Sequence, residues 1–586
     1  MSVPDKLFAS TFINAIEQNI HLLMIKDYFK IADRDTYVQA NQQLKYKNSI
    51  QDIGHFLNDL VNKEIFPNIF VLNQLMEKLF RVNQVNLALK IFNLIKHHQL
   101  CNSISYNTLL SNLSKKAGVS QQYILDIFNE AKQNNYANTT SFNTMIHGIS
   151  RQYNPNIELA ISIFEEAKAL GLANIITYSN LLYTLSKQHS VDIDQSMKIY
   201  LEAQTTFTNL DSIVYANMLL NIAYMDEPDI LLAIEILQQA KLQQQANRYT
   251  YANCLFAISK SSHPDIHLAK KILEEAKVAG FIDSYSYTNT LVAIGKSQRP
   301  DASLILKLLQ DAKQEGLMDT IVYSCALDAL SNLDNLDFNL ALNIFNEAKS
   351  HNMINHMTYS SMLRIIAHRS PDQLDYALQL FQEIKSNHLL DAHIYANLLQ
   401  VIASGRPVDT NLAMSVLQEA QKFNLMDSIG YANALLALQN SEQPNSKMAF
   451  QLYQQAKAQY YSNHIVATHT LKVFAVASVF DNQHVLSIIK DCVEKNQIDA
   501  KLINAVMNLV SRHSQQLDVK IFLPLFFYSH LVSSEHQQSL QRVFSTSEWA
   551  VFARTAIEIS AINSISLPHK HSNVSHRSLE MLAPVF

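Results

Sequence analysis

Five cations recur along this chain at a fixed beat. Lys115, Arg151, Lys187, Lys260 and Lys296 are 36 residues apart, or 73 where one beat is skipped. Regular spacing places side chains at equivalent points of successive structural units, and a row of Lys and Arg at such points could track a run of phosphates. Tyr224 occupies the skipped beat, and Asn332, His368, Ser404 and Asn440 occupy the later ones, so the charge is concentrated before about residue 300. A solvated helix end accounts for the same cations, which suit the negative end of a helix dipole. A second column is exclusively Asp or Asn, from Asn68 through Asn102, Asn138, Asn174, Asp211, Asn247, Asp283, Asp319, Asn355, Asp391 and Asp427 to Asn463. Both types cap helix N-termini, at about 1 kcal/mol each. Serine caps nearly as well, yet never occurs there.

Both columns are counted from one recurring head: Tyr106, Phe142, Tyr178, Tyr215, Tyr251, Tyr287, Tyr323, Tyr359, Tyr395 and Tyr431 stand 36 residues apart, with one gap of 37. In the copy from Tyr251, Leu255, Phe256 and Ile258 precede a Ser-Ser-His-Pro-Asp break, and Leu268, Ala269, Ile272, Leu273 and Ala276 follow it. The spacing on each side is helical, so each copy is an antiparallel helix pair that needs its neighbours to bury its apolar face. Prolines such as Pro228, Pro264 and Pro300 fall in the break, and Gly171, Gly280 and Gly316 follow the second helix as C-caps. Ala160, Ala233, Ala269, Ala341, Ala377, Ala413 and Ala449, with alanines seven residues on in most copies, mark close helix contacts.

Leu72 heads a shorter copy upstream and Tyr37 another. Residues 1–35 read as an N-terminal helical cap, 36–465 as the repeat array, and 466–586 as degenerate capping helices and a mobile Ser/His-rich tail. Beyond Asn463, Ala467 takes the tyrosine place, and Phe522-Leu-Pro-Leu-Phe-Phe-Tyr and Trp549 have no counterpart elsewhere.

Composition narrows the function. Among 586 residues there are 9 glycines and 12 prolines, which fits a chain that is helical nearly throughout. The formal net charge of -5 argues against nucleic-acid binding by bulk charge. The four cysteines form no CxxC pair, so neither a disulfide framework nor a thiolate zinc site is signalled. No phosphate-cradling, zinc-protease or nucleophile-elbow motif occurs, and catalysis is not expected. His97-His98 and His569-Lys-His571 are the candidate metal ligands, but isolated surface histidines rarely serve, and no metal or cofactor is expected. Secretory, mitochondrial and membrane-spanning signals are absent, giving a cytoplasmic expectation.

The phrases Ser105-Tyr-Asn-Thr-Leu-Leu110 and Ser141-Phe-Asn-Thr-Met-Ile146, with Ala88-Leu-Lys-Ile-Phe92, resemble the pentatricopeptide repeat family, in a variant 36-residue form. The resemblance covers residues 36–465 and implies an all-α fold, a right-handed α-solenoid of about twelve helix-turn-helix repeats with helical caps. It also implies single-stranded RNA as partner, about one nucleotide per repeat. In the family the residue after the tyrosine and the last residue of the repeat read the base. Carried over, the pairs are Asn73 with Asn102, Asn107 with Asn138, Asn143 with Asn174, Ser179 with Asp211, Thr288 with Asp319, Ser324 with Asn355, and Ser360 with Asp391. Four further copies carry alanine first: Ala216 with Asn247, Ala252 with Asp283, Ala396 with Asp427, and Ala432 with Asn463. The family correspondence then gives three pyrimidines, G, two unread positions, G-A-G and two more unread positions. The cation row matches a family position near the RNA backbone.

Three points stay open from the residues alone. The Asp/Asn column serves capping, base reading or both. The residue two before each tyrosine, including Ile104, Ile176, Ile213, Ile321 and Ile429, matches the family position that packs against bases, but its apolar character reads first as core. A register shifted by one would make Asn217, Asn253, Asn397 and Asn433 the readers of the alanine copies. The expected function is non-catalytic RNA binding that modulates a transcript's processing, stability or translation. The alternative is a scaffold of tetratricopeptide or Sel1-like logic with a protein partner on its concave face, and a protein delivered into another cell, or an organelle factor, is compatible with either.

Overall fold

The computed structural model describes residues 3–25, 29, 34–45, 48–116, 118–333 and 335–513. Those residues form 28 α-helices and no strand. Phe522–Tyr528, Trp549 and the His569-Lys-His571 cluster lie outside the described residues.

The repeat headed by Tyr251 shows why the sequence folds as it does. Its first helix, Arg248–Lys260, starts where the Asn247 side chain accepts from the Tyr249 and Thr250 amides, while the Thr250 hydroxyl accepts from the Asn247 amide. This reciprocal box satisfies amides that the helix leaves without partners. The second helix, Ile266–Val278, starts on the Asp265 side chain and ends just before Gly280, whose φ is +71°. Gly171 and Gly316 are left-handed at the same place, with φ of +65° and +68°. Gln244, Asn352, His388, Asn424, Tyr460 and Asn496 adopt the same conformation without being glycine, so the turn geometry is imposed by the repeat and glycine only eases it.

The chain divides into two compact units, Met1–Ala293 and Ile294–Phe586. In the first, Ile69–Arg81, Ser103–Leu113, Thr139–Ser150, Ile175–Leu185, Ser212–Ala223 and Arg248–Lys260 pack side by side as consecutive first helices. Second helices Gln121–Gln133, Ile157–Ala169, Ile193–Thr206 and Ile230–Leu242 each sit against their own first helix and the next one. The second unit repeats this arrangement from Thr320–Ser331 to His464–Val476. Gly148 shows how close the first helices come: a Cβ there would lie 2.9 Å from the Cβ of Ser114. The helix pairs also continue beyond the last tyrosine head, through His464–Val476 and Asn482–Glu494, capped by Asn463 and Asp481. Ala467 is fully buried in the tyrosine place.

All ten head residues are buried, as are Ala160, Ala233, Ala269, Ala341, Ala377, Ala413 and Ala449 of the second helices. Each head ring meets an aromatic of the preceding repeat edge-on in several copies: Phe92 with Tyr106 at 5.2 Å, Phe128 with Phe142 at 5.0 Å, and Phe164 with Tyr178 at 4.8 Å. The lysines near the ends of the second helices tie neighbouring repeats together. Lys96 pairs at 2.6 Å with Glu130 of the next repeat, and Glu130 also accepts from the Tyr106 hydroxyl at 2.8 Å. The same triad recurs as Lys168–Glu202–Tyr178 in the first unit and as Lys313–Glu347–Tyr323, Lys349–Glu383–Tyr359 and Lys385–Glu419–Tyr395 in the second. A ladder of ion pairs therefore bridges successive second helices and reaches the core through tyrosine.

Candidate nucleic-acid interface

The cation row sits at the C-terminal ends of first helices. Arg151 is the C-cap of Thr139–Ser150, Lys115 and Lys187 follow their helices by a residue or two, and Lys260 and Lys296 are final helical residues. That placement satisfies the dipole reading. It also sets these cations apart from the second-helix lysines. Lys96, Lys132, Lys168 and Lys241 are each neutralised by a glutamate of the following repeat. Lys115, Arg151, Lys187 and Lys260 form no ion pair among the described residues; Lys187 and Lys260 instead lie over the Tyr183 and Phe256 rings, at 4.4 and 5.4 Å from the centroids. Their positive field is felt locally: burial, then Arg151 and Lys115, hold the His147 imidazole below its ordinary range.

Counting nine residues from Leu72 gives Arg81, a member of this column that the tyrosine-based count misses. Arg81 pairs with Glu77 at 2.5 Å, and with Asn107, Ser111, Lys115 and Lys116 it lines an open pocket between Ile69–Arg81 and Ser103–Leu113. In the second unit the column turns to packing. Asn332 and Asn440 donate to the carbonyls of Gly295 and Ala403, at 3.0 Å each.

Every member of the Asp/Asn column caps a first helix. The side chains of Asn102, Asn138, Asn174, Asp211, Asp319, Asn355 and Asp391 accept from amides two or three residues on. Capping therefore holds throughout, and it leaves each side chain half-buried at the edge of the first-helix layer.

The residue after each head faces the next repeat. Asn107 donates to Asn138 at 3.1 Å, Asn143 to Asn174 at 3.2 Å, and Ser324 to Asn355 at 3.3 Å, so three of the expected pairs are brought into direct contact. Asn73 is 6% exposed, and neither of its polar atoms has a hydrogen bond; Asn143 Oδ1 is likewise buried without one. Ser179 hydrogen-bonds Asn217, Thr288 donates to the Ser284 carbonyl, and Ser360 bonds Asn397, so the hydroxyls of these three are engaged elsewhere than with Asp211, Asp319 and Asp391.

The shifted register does not hold. Asn217, Asn253, Asn397 and Asn433 donate their side-chain amides to the carbonyls of Ser179, Ala216, Ser360 and Ala396, at 2.9, 2.8, 3.0 and 2.8 Å. Asn180 and Asn289 do the same to Asn143 and Ala252. These asparagines clamp consecutive first helices, and their donors are committed to backbone.

The core reading of the residue two before each head is also overturned. Ile104, Ile176 and Ile213 are 51%, 50% and 55% exposed in the first unit, and Ile321 and Ile429 are exposed in the second. Phe70, Tyr249, Tyr285 and Met357 hold the same place and are exposed too. The position lies in the first turn of the helix, at the amide that the cap side chain accepts or one residue before it, and its side chain is exposed. Apolar periodicity alone could not reveal this, because the same residue types fill the core.

Elsewhere chemistry is sparse. No group of three or more His, Cys, Asp or Glu side chains is poised for a metal among the described residues. His98 is engaged with the Leu23 carbonyl and packs edge-on against His97 and Phe66. No helix among the described residues is long and apolar enough to cross a membrane.

Two layers of capped helix pairs, with apolar side chains bared at the start of the first helices and, in the first unit, cations at their far ends, define a helical-repeat protein. Among solved structures it is similar to the pentatricopeptide repeat protein PPR10 from maize, at 13% identity and a TM-score of 0.43, covering 94% of this chain and 95% of that one. A structure of PPR10 in complex with an 18-nt psaJ RNA element is similar at 15% identity and a TM-score of 0.42, covering 93% of this chain and 89% of that one. No family model and no curated protein matches the sequence.

Proposed function

We propose that this protein is a non-catalytic binder of single-stranded RNA, lodging about one nucleotide per repeat along its first-helix layer and modulating the processing, stability or translation of a transcript. One observation carries the reading. In the first unit, exposed apolar side chains (Ile104, Ile176 and Tyr249) open first helices at whose far ends stand Lys115, Lys187 and Lys260, cations that form no ion pair among the described residues. Apolar surface for base faces beside positive charge for phosphates is the combination that single strands require. Between them the half-buried Asn107–Asn138 and Asn143–Asn174 pairs offer amides to base edges, and pyrimidines are the expected preference there. The aspartate caps are part of this reading, since Asp211 and Asp319 accept helix amides through Oδ1 and keep Oδ2 for another donor.

The second unit supports a second reading. It keeps the exposed Ile321, Met357 and Ile429 but, after Lys296, has Asn332, His368, Ser404 and Asn440 at the cation places, which suits a protein partner better than a polyanion.

The deciding experiment is capture of mixed-sequence RNA by the purified protein at low salt, repeated after Lys115, Arg151, Lys187, Lys260 and Lys296 are changed to alanine. Retention by the wild type and loss by the variant is the expected result. No retention by the wild type overturns RNA binding, and retention unaffected by the five changes overturns the cation row.

A further inference from the structure

The two adjacent copies with alanine at the reading place, Ala216 and Ala252, cannot hydrogen-bond a base through that side chain, yet the surface around them is not blank. Phe256, half-buried on Arg248–Lys260, packs edge-on against Tyr224 at 5.4 Å and tilts against Tyr285 at 6.1 Å. Tyr224 and Tyr285 are 38% and 42% exposed, whereas every head tyrosine is buried. Tyr224 is also the residue that interrupts the cation row. At this beat an aromatic replaces a charge, and the next cation, Lys260, lies over the Phe256 ring at 5.4 Å. One repeat upstream of Tyr285, the exposed Tyr249 ring carries the Arg248 guanidinium at 4.8 Å.

We propose that Tyr224, Phe256 and Tyr285 form a stacking platform that holds an unpaired RNA base without reading its identity, with Lys260 at the adjoining phosphate. The inference rests on the RNA reading above and gives that reading a spacer: a place where the strand is gripped by π-faces and charge, not by base edges. Every base has a π-face, so the grip is indifferent to sequence. A cation already over one ring adds attraction for the backbone and is itself stabilised by the ring quadrupole. The arrangement commits the surface to a polyanion with flat, apolar appendages, because Lys260 and Arg248 would be left opposite nothing by a purely apolar partner.

The test uses the full-length protein and a set of single-stranded RNAs of the expected base order, each with one abasic position. With wild type, an abasic site at the spacer should weaken binding about ten-fold, while exchanging the four bases there should change it no more than about two-fold. Tyr285→Ala should weaken binding of the intact RNA about ten-fold and abolish sensitivity to that abasic site. Tyr285→Trp should preserve both. Tyr224→Ala serves as a second variant, and an unchanged melting temperature separates lost stacking from lost fold. If Tyr285→Ala and Tyr224→Ala bind as wild type does while the cation variant releases RNA, the platform is wrong and the RNA reading stands. Strong base preference at the spacer also overturns the platform. If the wild type holds no RNA at low salt, both fall together.

Discussion

The side-chain amide of Asn217 donates to the backbone carbonyl of Ser179 at 2.9 Å and to its hydroxyl at 3.1 Å, across the seam between consecutive first helices. Because a helix carbonyl already accepts within its own helix, this bond uses the second lone pair to fix the register of one repeat on the next. Asn433 makes the same clamp to Ala396. Asn433→Ala would leave a buried carbonyl with one bond fewer and remove an amide from a closely packed seam. We expect a loss of about 1–3 kcal/mol, read as a lower thermal midpoint, with no change in RNA affinity. Weakened RNA binding without destabilisation would return this column to the readers.

The two cation populations should separate cleanly in a salt titration. Replacing Lys115, Arg151, Lys187 and Lys260 by alanine should flatten the dependence of log affinity on log salt by about 3, at roughly 0.7 for each phosphate no longer neutralised. Replacing Lys96, Lys168 and Lys241 should leave the slope alone and lower the melting temperature slightly, since half-exposed pairs are worth about 0.5 kcal/mol each. Equal slopes for both variants would refute the distinction.

Stability should fall with acid in two stages. Burial, and then Lys472, push the His469 imidazole down to about 4 from 6.5, so the unfolded chain takes up the proton first. That contribution is complete above pH 6.5 and is lost as pH falls towards 4; His147 and His368 are shifted in the same direction. The ladder carboxylates act lower. Burial works to raise Glu130, Glu202, Glu347, Glu383 and Glu419, but hydrogen bonds from the paired lysine and tyrosine outweigh it and hold each below the usual carboxylate range. Their stabilisation is full above about pH 4.3 and disappears as pH drops through their lower folded values. Melting temperatures measured from pH 8 to about 3 should show both declines, and Glu383→Gln should shrink only the second.

Thiol labelling should be selective. Cys254, Cys325 and Cys492 are buried, and burial pushes each thiol up to about 12, so they should resist a maleimide in the folded state. Cys101 is half-buried and should be modified first, identified by mass spectrometry. Rapid labelling of all four would mean that the helix pairs open readily.

The fold was legible because each repeat states its rules many times over. Tyr251, Asn247 and Ala269 have counterparts at nearly every beat, and period, caps and close contacts follow from those types alone. The interface was less legible because the same chemistry serves inside and outside. Ile213 on the exposed turn and Ile222 in the core are indistinguishable as residues, and only the cap at Asp211 fixes which way the first turn faces. Asn107 and Asn217 are equally alike, but one faces the cap of the next repeat and the other a carbonyl of the previous one. Counting from tyrosine also passed over Arg81, whose repeat is headed by Leu72, and over the Lys–Glu–Tyr triads, whose partners are joined only by stacking.

The two layers are fastened by unlike materials. First helices are riveted by short amide-to-carbonyl bonds between close-packed backbones, whereas second helices are tied by long lysines reaching to glutamates. Rivets set a fixed spacing; tethers with several rotatable bonds tolerate stretch. Under load each repeat should therefore yield on its second-helix side, opening and closing like a hinged book whose spine runs along the first helices. Small angular changes would then add up over the repeats of each unit without breaking the seams that present its exposed row.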